Sequence, residues 1–216
     1  MTNASKLSKI EVRGLEARFY DFLLLYGTFG LYQSLLKRVI MDMEIKTGDK
    51  ILDMGAGTGK NACMIRKYVG DEGFILGLDI GEIMLKKFNR KCKKYENIKS
   101  ENQRIDEPLA YKNEFDKVFI SFVIHGFTQE NRIKIVENAH KSLKPGGKFF
   151  IFDWAEFDIK SSGSILKFFM YHVECPLALD FIKQDFKAIL KKQGFCNIQE
   201  NLYAGKKIRL LSGEKT

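Results

Sequence analysis

A glycine-rich turn follows an apolar segment that starts at residue 50, and its residue types suit a ligand-binding loop. The turn reads DMGAGTG over residues 53–59. Glycine has no Cβ, so this backbone can bend sharply and approach a ligand closely. The next residues are Lys60 and Asn61 rather than the Lys-Ser/Thr pair of a phosphate-binding loop, which disfavours nucleoside triphosphate hydrolysis. Asp53 places a carboxylate where it would repel a diphosphate and attract a cationic amine.

A second carboxylate ends the next apolar segment. Asp79 closes the segment FILGLD, and Ile80 follows it directly. An acidic side chain at this point of a nucleotide-binding fold accepts hydrogen bonds from ribose hydroxyls. Ile80 offers an apolar surface to an adenine ring. A ligand that combines a ribose with a cationic amino acid, and carries no phosphate, is S-adenosyl-L-methionine.

The elements that must position these residues alternate along the chain. Strands are predicted over 50–54, 74–80, 115–124 and 148–154, with a short one near Ile98, and helices over 59–69, 82–95 and 129–143. Pro145-Gly146-Gly147 is expected to end the last of these helices. Strand-helix alternation predicts a doubly wound, mostly parallel α/β sheet. The run VFISFVI is apolar without alternation, as in a strand covered on both faces.

The two ends of the chain break this alternation. A helix is predicted over 180–193, followed by two strands, 195–203 and 206–213, that form a terminal antiparallel hairpin. These strands complete a predicted seven-stranded sheet. One or two helices are predicted over 8–43. We therefore expect a helical cap over 1–44 ahead of one folded domain over 45–216.

Composition limits the function classes. The 216 residues are 45% hydrophobic and 29% charged, as in an ordinary globular domain. The net charge of +9 permits contact with nucleic acid or an anionic membrane but requires neither. Eight Lys and Arg residues lie in 86–104, a segment read either as a solvated helix face or as a phosphate-contacting patch. The four cysteines form no CxxC pair, which indicates free thiols in a reducing cytoplasm.

Four segments in order resemble the successive motifs of class I S-adenosylmethionine-dependent methyltransferases. They are ILDMGAGTGK, GLDIGEIMLKKF, FDKVFISFVIHGF and SLKPGGKFFIFDW, and the resemblance covers about residues 45–155. It implies a Rossmann-like fold that binds S-adenosyl-L-methionine. The chain is most similar to the ubiquinone/menaquinone C-methyltransferases, and EARFYDFLLLYGTFGLYQSLLKRV resembles the helix and glycine segment of that group. The segments Arg104-Ile105-Asp106 and Val123–Phe127 depart from the quinone pattern, which leaves the acceptor open.

The resemblance also assigns site residues. Asp53, Gly55, Ala56 and Gly57 would line the methionine end of the cofactor, and Asp79 would bind the ribose. The residues expected beside the adenine and the sulfonium are Ile80, Arg104, Ile105, Asp106, Ser121 and Phe122. No metal ligand set is expected.

Two residues are candidates for catalytic roles. His125 follows the fourth strand and is the best-placed general base, should the acceptor have to lose a proton. Its alternative role is structural. Tyr20 lies in the N-terminal segment that could close over the cofactor, and it is equally readable as a core aromatic. His172 and Asp153 are weaker candidates near the acceptor.

The predicted partner is a small-molecule acceptor, because aromatic residues are frequent in 15–36 and 161–182, the two segments expected to cover the pocket. A quinol-like or lipid-like acceptor suits such a wall, and peripheral membrane contact is compatible with it. The alternatives are an RNA or protein methyltransferase that uses the 86–104 segment, a Rossmann-like dehydrogenase and a non-enzymatic binding module. Nucleic acid is the less favoured partner, and the expected location is cytoplasmic.

Overall fold

The computed structural model describes residues 31–216, and seven strands in this part of the chain form one sheet. The strands are β1 (Lys50–Met54), β2 (Phe74–Asp79), β3 (Ile98–Asn102), β4 (Phe115–Ser121), β5 (Leu143–Trp154), β6 (Phe195–Tyr203) and β7 (Ile208–Lys215). Their order is β3-β2-β1-β4-β5-β7-β6. The pairs from β3 to β5 are parallel, whereas β7 is antiparallel to both β5 and β6. The predicted doubly wound sheet with a terminal hairpin is confirmed.

Helices cover both faces of the sheet. They are α1 (Leu31–Asp42), α2 (Lys60–Val69), α3 (Glu82–Cys92), α4 (Gln129–Ser142), α5 (Ser164–His172), α6 (Pro176–Phe181) and α7 (Phe186–Lys192), with short 3₁₀ turns at Ile124–Gly126 and Ile159–Ser161. Successive strand residues point to opposite faces, so β1 contributes Ile51 to one apolar cluster and Leu52 to the other. Both residues are fully buried, as expected for a central parallel strand.

The strand order determines which edge of the sheet can bind a ligand. The chain winds outward from β1 to β3 on one side and from β4 onward on the other. Such a reversal of direction opens a crevice at the carboxyl ends of the two central strands. Asp53 lies near the end of β1 and Ser121 ends β4, so both sequence-predicted segments reach this crevice.

One predicted strand start and one predicted helix are wrong. The helix ahead of β5 ends at Ser142, within one residue of its predicted end, but β5 begins at Leu143 rather than at residue 148, with an irregular register against β4. The helix predicted over 180–193 is two short helices, α6 and α7. The Asp185 side chain accepts a hydrogen bond from the Ala188 backbone N–H and caps α7, which starts a new helix there. The kink between them lets Phe181 and Phe186 both be fully buried.

Only the last part of the predicted N-terminal cap falls within the described residues. The α1 helix buries Leu36 and Ile40 in the same apolar cluster as Ile51 of β1, and Met43, directly after the helix, joins them. The predicted boundary between residues 44 and 45 stays a prediction. No helix formed by residues 31–216 has the length and apolar character needed to cross a membrane.

A buried arginine ties α4 to the loop after β4 and to α6. Arg132 is fully buried and donates hydrogen bonds to the backbone carbonyls of Ile124, His125 and Leu177, at 3.4, 2.9 and 2.8 Å. Its guanidinium also contacts the Asp180 carboxylate at 2.6 Å. One side chain of α4 thus satisfies acceptors from two other segments, the loop after β4 and α6.

Removing this guanidinium should lower stability strongly. We expect Arg132→Met to cost about 2–4 kcal/mol, because the methionine fills the space but leaves buried carbonyls without donors. The matched control is Lys134→Met, on the same helix, which removes the exposed i,i+4 ion pair with Glu130 and should leave the urea midpoint nearly unchanged. Urea unfolding measures both, and equal effects of the two substitutions would contradict this role of Arg132.

Candidate active site

The glycine turn after β1 is shaped by left-handed backbone. Gly55, Gly57 and Gly59 have φ values of 76°, 54° and 77°, a region that side chains rarely adopt. The backbone N–H groups of Gly55 and Ala56 both donate to the Leu78 carbonyl, at 2.8 and 2.9 Å. These bonds fix the turn against the end of β2, and α2 begins at the next residue, Lys60.

Gly55 is also required by a close contact. A Cβ at this position would lie 2.6 Å from Cγ2 of Val123, which follows β4. The glycine turn and the segment after β4 therefore press against each other. Val123 was missed by the sequence analysis as a site residue, because only the fold brings it over Gly55.

Asp53 is a fully buried carboxylate with an unusual charge environment. Neither of its oxygens accepts a hydrogen bond from the residues in 31–216. Burial and the nearby Asp79 carboxylate raise its pKa to about 7, although the Asn61 amide opposes this shift. A carboxylate that is buried, unbonded and close to a second acid is poised to receive a cation.

Asp79 is held at the end of β2 by two backbone donors. The Gly57 N–H donates to Oδ2 and the Gly81 N–H donates to Oδ1, both at 2.8 Å. The carboxylate therefore links the glycine turn to the start of α3. A carboxylate held in this way is oriented to accept hydrogen bonds from the hydroxyls of a ligand.

A cleft with about 350 Å³ of empty space lies beside these two turns. Six of the predicted cofactor residues line it, together with four that the sequence analysis did not single out. The predicted ones are Gly55, Asp79, Ile80, Arg104, Ile105 and Asp106, and the others are Leu78, Gln103, Val123 and Phe127. The other five predicted cofactor residues, Asp53, Ala56, Gly57, Ser121 and Phe122, belong to the same turn and strand ends.

The far wall of the cleft, residues 103–106, is held in place by hydrogen bonds from α4. The Asn138 side-chain amide donates to the carbonyls of Ile105 and Glu107, at 2.9 and 2.7 Å. The Asp106 carboxylate receives the Arg104 guanidinium at 2.8 Å and the Asn131 amide at 3.1 Å, both on Oδ2. Arg104 is therefore paired with Asp106. The Asp106 carboxylate is the better placed of the two to accept a hydrogen bond from an amino group of a ligand in the cleft.

The end of β4 carries backbone strain. Phe122 has φ of 51°, a conformation that costs a residue with a Cβ about 1–2 kcal/mol. Its N–H donates to the Phe152 carbonyl at 2.8 Å, which holds the strained turn in place. Its ring packs 4.9 Å from Phe152, 6.0 Å from Trp154 and 6.2 Å from Tyr32, measured between centroids.

His125 lies between two carboxylates. Its Nδ1 is 2.8 Å from Asp153 Oδ1, and its Nε2 is 3.3 Å from Glu174 Oε1. Burial alone would lower the pKa of His125, but Asp153 and Glu174 raise it to about 10. An imidazole that is already protonated at neutral pH cannot accept a proton. The geometry therefore favours the structural role of His125 over the general base.

The remaining predicted residues are Tyr20, Asp153 and His172. Tyr20 lies outside the described residues, so its predicted role stays a prediction. Asp153 is fully buried against His125 and the Trp154 N–H. The ring of His172 stacks on Phe168 on exposed α5 and does not line the cleft.

The arrangement fits S-adenosyl-L-methionine. The buried Asp53 carboxylate suits a cationic amino group, and the anchored Asp79 suits two ribose hydroxyls. Ile80 and Ile105 supply apolar faces to the cleft, and Asp106 supplies a polar edge. Arg104 also lines the cleft, but its guanidinium is already paired with Asp106 and Glu107, which disfavours its use for a pyrophosphate.

Adding a methyl group at Gly55 should damage the cleft. We expect Gly55→Ala to weaken S-adenosyl-L-methionine binding at least about tenfold, because the new Cβ collides with Val123 at a left-handed position. The double variant Gly55→Ala/Val123→Ala should recover part of the loss, since every close contact of that Cβ is with the Val123 side chain. Calorimetry measures the affinity. Gly163→Ala is the control, because open space surrounds that glycine, and unchanged binding by Gly55→Ala would contradict the prediction.

The raised pKa of Asp53 has a consequence for stability. Below about pH 4 the carboxyl is protonated in both the folded and the unfolded chain, so its titration does not change the free energy of unfolding. Between pH 4 and pH 7 only the unfolded chain loses this proton, so the native state loses up to about 4 kcal/mol of relative stability. Asp53→Asn should therefore raise the melting temperature above pH 7 and have little effect near pH 4, in thermal unfolding followed by circular dichroism. An equal effect at both pH values would show that the Asp53 pKa is ordinary.

Comparison with known proteins agrees with this geometry. The methyltransferase domain family matches residues 51–147. The chain is 28% identical, over 172 residues, to a ubiquinone/menaquinone biosynthesis C-methyltransferase of Blochmanniella floridana, covering 78% of this chain and 66% of that protein. It is 34% identical, over 129 residues, to a demethylmenaquinone methyltransferase of Staphylococcus carnosus, covering 59% and 52%. The chain thus spans between half and two thirds of the length of these curated relatives.

The fold has solved counterparts as well. A crystal structure of a SAM-dependent methyltransferase from Aquifex aeolicus superposes with a TM-score of 0.61 at 19% identity, covering 84% of this chain and 89% of that one. The domain match, the two relatives and the shared sheet agree with the motifs and with the cleft. Residues 51–147 are therefore a methyltransferase domain, and the chain resembles S-adenosylmethionine-dependent methyltransferases in its motifs and its fold.

Proposed function

We propose that this protein transfers a methyl group from S-adenosyl-L-methionine to a small apolar acceptor, quinol-like or lipid-like. The observation that carries the proposal is a row of aromatic rings that leads from the strained end of β4 to the protein surface. Phe122 packs 6.0 Å from Trp154, and Trp154 packs 6.2 Å from Phe169 of α5. Phe169 is 38% exposed, so the row reaches solvent.

Different residues of the chain bind different parts of the cofactor. The bound cofactor supplies a methyl group on a positively charged sulfur, which is already activated toward nucleophiles. Asp53 receives the amino group, Asp79 the ribose, and residues 104–106 the adenine. The rings of Tyr32, Phe122 and Trp154 exclude water near the end of β4. Alignment and a dry site supply much of the acceleration in such a displacement.

The surface of α5 supports an apolar acceptor. Five large apolar side chains of α5 and the residue after it are exposed, which is rare on a solvated surface unless the patch serves binding. They are Ile165, Phe168, Phe169, Tyr171 and Val173, with exposed fractions between 38% and 88%. A sugar or another strongly polar acceptor would gain nothing from such a surface.

The names of the relatives point to the same acceptor class. Both are described as enzymes of quinone methylation, one of them as a C-methyltransferase. A quinol ring is flat, apolar and carries a long lipid tail in its membrane forms, which suits the aromatic row. We therefore propose a quinol-like ring as the first acceptor to test. Contact of α5 with the cytoplasmic face of a membrane would give access to such a molecule.

His125 enters this proposal as a positioning residue. It links Asp153, at the end of β5, to Glu174, which precedes α6. Glu174 Oε2 also accepts from the Trp154 indole N–H at 3.3 Å, so the network orients the central ring of the aromatic row. The proton that the acceptor loses then goes to water or to a base outside this network.

An acceptor screen tests the proposal. The protein is incubated with methyl-labelled S-adenosyl-L-methionine and, separately, a reduced demethylated quinone in detergent, a membrane lipid extract, total RNA and cell protein. We expect the label in the quinone or lipid fraction. Label only in RNA or protein would favour the alternative that uses the 86–104 segment and would overturn the apolar acceptor.

A matched pair of variants ties the result to the aromatic row. Phe169→Ala should raise KM for the apolar acceptor about tenfold, the value of burying a large part of one ring, and leave cofactor affinity unchanged. Tyr171→Ala, on the same exposed helix, makes no described ring contact with Trp154 and should leave KM for the detergent-dissolved acceptor within about twofold. Equal effects of the two substitutions would show that the row does not guide the acceptor.

A further inference from the structure

Two cysteines far apart in the sequence meet beneath the glycine turn. Cys63 lies in α2 and Cys92 at the last residue of α3, 29 positions later. Their Sγ atoms are 2.7 Å apart. This separation is closer to the bond length of a disulfide, about 2.05 Å, than to an ordinary contact between unbonded sulfur atoms. Both thiols are reduced in this structure.

The two thiols differ in a way that suits stepwise oxidation. Cys63 is partly exposed, and Cys92 is buried. The hydrogen bond from Cys92 lowers the pKa of Cys63, with smaller help from Lys91 and Lys94 and against the effect of burial. The thiolate is the form that reacts with oxidants, and an accessible thiolate beside a second thiol is the arrangement of oxidisable pairs.

We propose that Cys63 and Cys92 form a modification site, a dithiol pair that a two-electron oxidant such as hydrogen peroxide converts to a disulfide. The Cys63 thiolate attacks one peroxide oxygen, the O–O bond breaks, and the hydroxide that leaves takes up a proton to become water. Cys63 is then a sulfenic acid. The Cys92 sulfur attacks the Cys63 sulfur, the S–O bond breaks, and the departing hydroxide takes the Cys92 proton. Two thiols and one peroxide thus give one disulfide and two waters.

The position of the pair gives the bond a structural effect. The α2 helix begins directly after the glycine turn, and α3 begins just after Asp79. Cys92 Sγ lies 3.7 Å from the Gly59 carbonyl oxygen, and a Cβ at Gly59 would approach it to 3.1 Å. A disulfide here would staple together the two helices that follow the ligand-binding turns, and it would close a chain segment of about 30 residues.

Peroxide titration of the full chain tests the proposal. After treatment and alkylation of the remaining thiols, peptide mapping should find Cys63 linked to Cys92, with Cys175 and Cys196 alkylated. The oxidised protein should melt roughly 5–10 °C higher, because the crosslink restricts the unfolded chain, and dithiothreitol should reverse the shift. Cys63→Ser should fold, keep the melting temperature of the reduced protein and show no shift with peroxide.

Each other outcome counts against the pair. Oxidation of Cys63 to a sulfinic acid without a link, a disulfide that involves Cys196, or no reaction at peroxide concentrations that oxidise free glutathione would overturn the proposal. Cys92→Ala serves as the second variant, and its Cys63 should stop at the sulfenic acid, which dimedone traps. This readout does not depend on methyltransferase activity, so its result is independent of the proposed function.

Discussion

The site depends on one electrostatic constraint, a buried carboxylate near the end of the first strand that no cationic side chain of residues 31–216 pairs with. Asp53 is buried completely, and the charged group that raises its pKa, Asp79, is also an acid. An isolated buried carboxylate costs free energy unless it is protonated or paired. The protein bears this cost at the point where the parallel strands open, and a cationic ligand relieves it. We propose that affinity for a positively charged amino acid follows from the same feature that lowers the stability of the native state.

The backbone around this carboxylate takes left-handed conformations on both sides of the crevice. The glycine turn takes left-handed conformations at three positions, and Phe122 takes one despite its ring. The Phe122 conformation costs free energy, and it is held by a hydrogen bond to the neighbouring strand β5. Strain of this kind concentrates at functional sites, because a relaxed backbone would aim the side chains elsewhere. Here it turns Phe122 toward Trp154 and Tyr32 and sets Val123 against Gly55.

Buried charged residues also hold the part of the site beside the aromatic row, which we call the acceptor side. Arg132 and His125 are cations among backbone carbonyls and carboxylates, and both connect the loop after β4 to the α5–α6 region. Removing one member of such a network leaves the others buried and unsatisfied. The acceptor side is therefore fixed by polar contacts between distant segments, whereas the cofactor side is fixed by backbone hydrogen bonds within the sheet edge.

The sequence determined the sheet, the glycine turn, the two acids after neighbouring strands and the cofactor they suit, because strand-helix alternation and local residue types are short-range properties. It did not determine that the helix predicted over 180–193 is interrupted, since the Asp185 cap of α7 accompanies the burial of both Phe181 and Phe186 in the core. Only the tertiary structure decided the protonation of His125, the contact of Val123 with Gly55 and the meeting of Cys63 with Cys92. Each of these joins residues at least 28 positions apart, and no local pattern records which distant group will lie within a few ångströms.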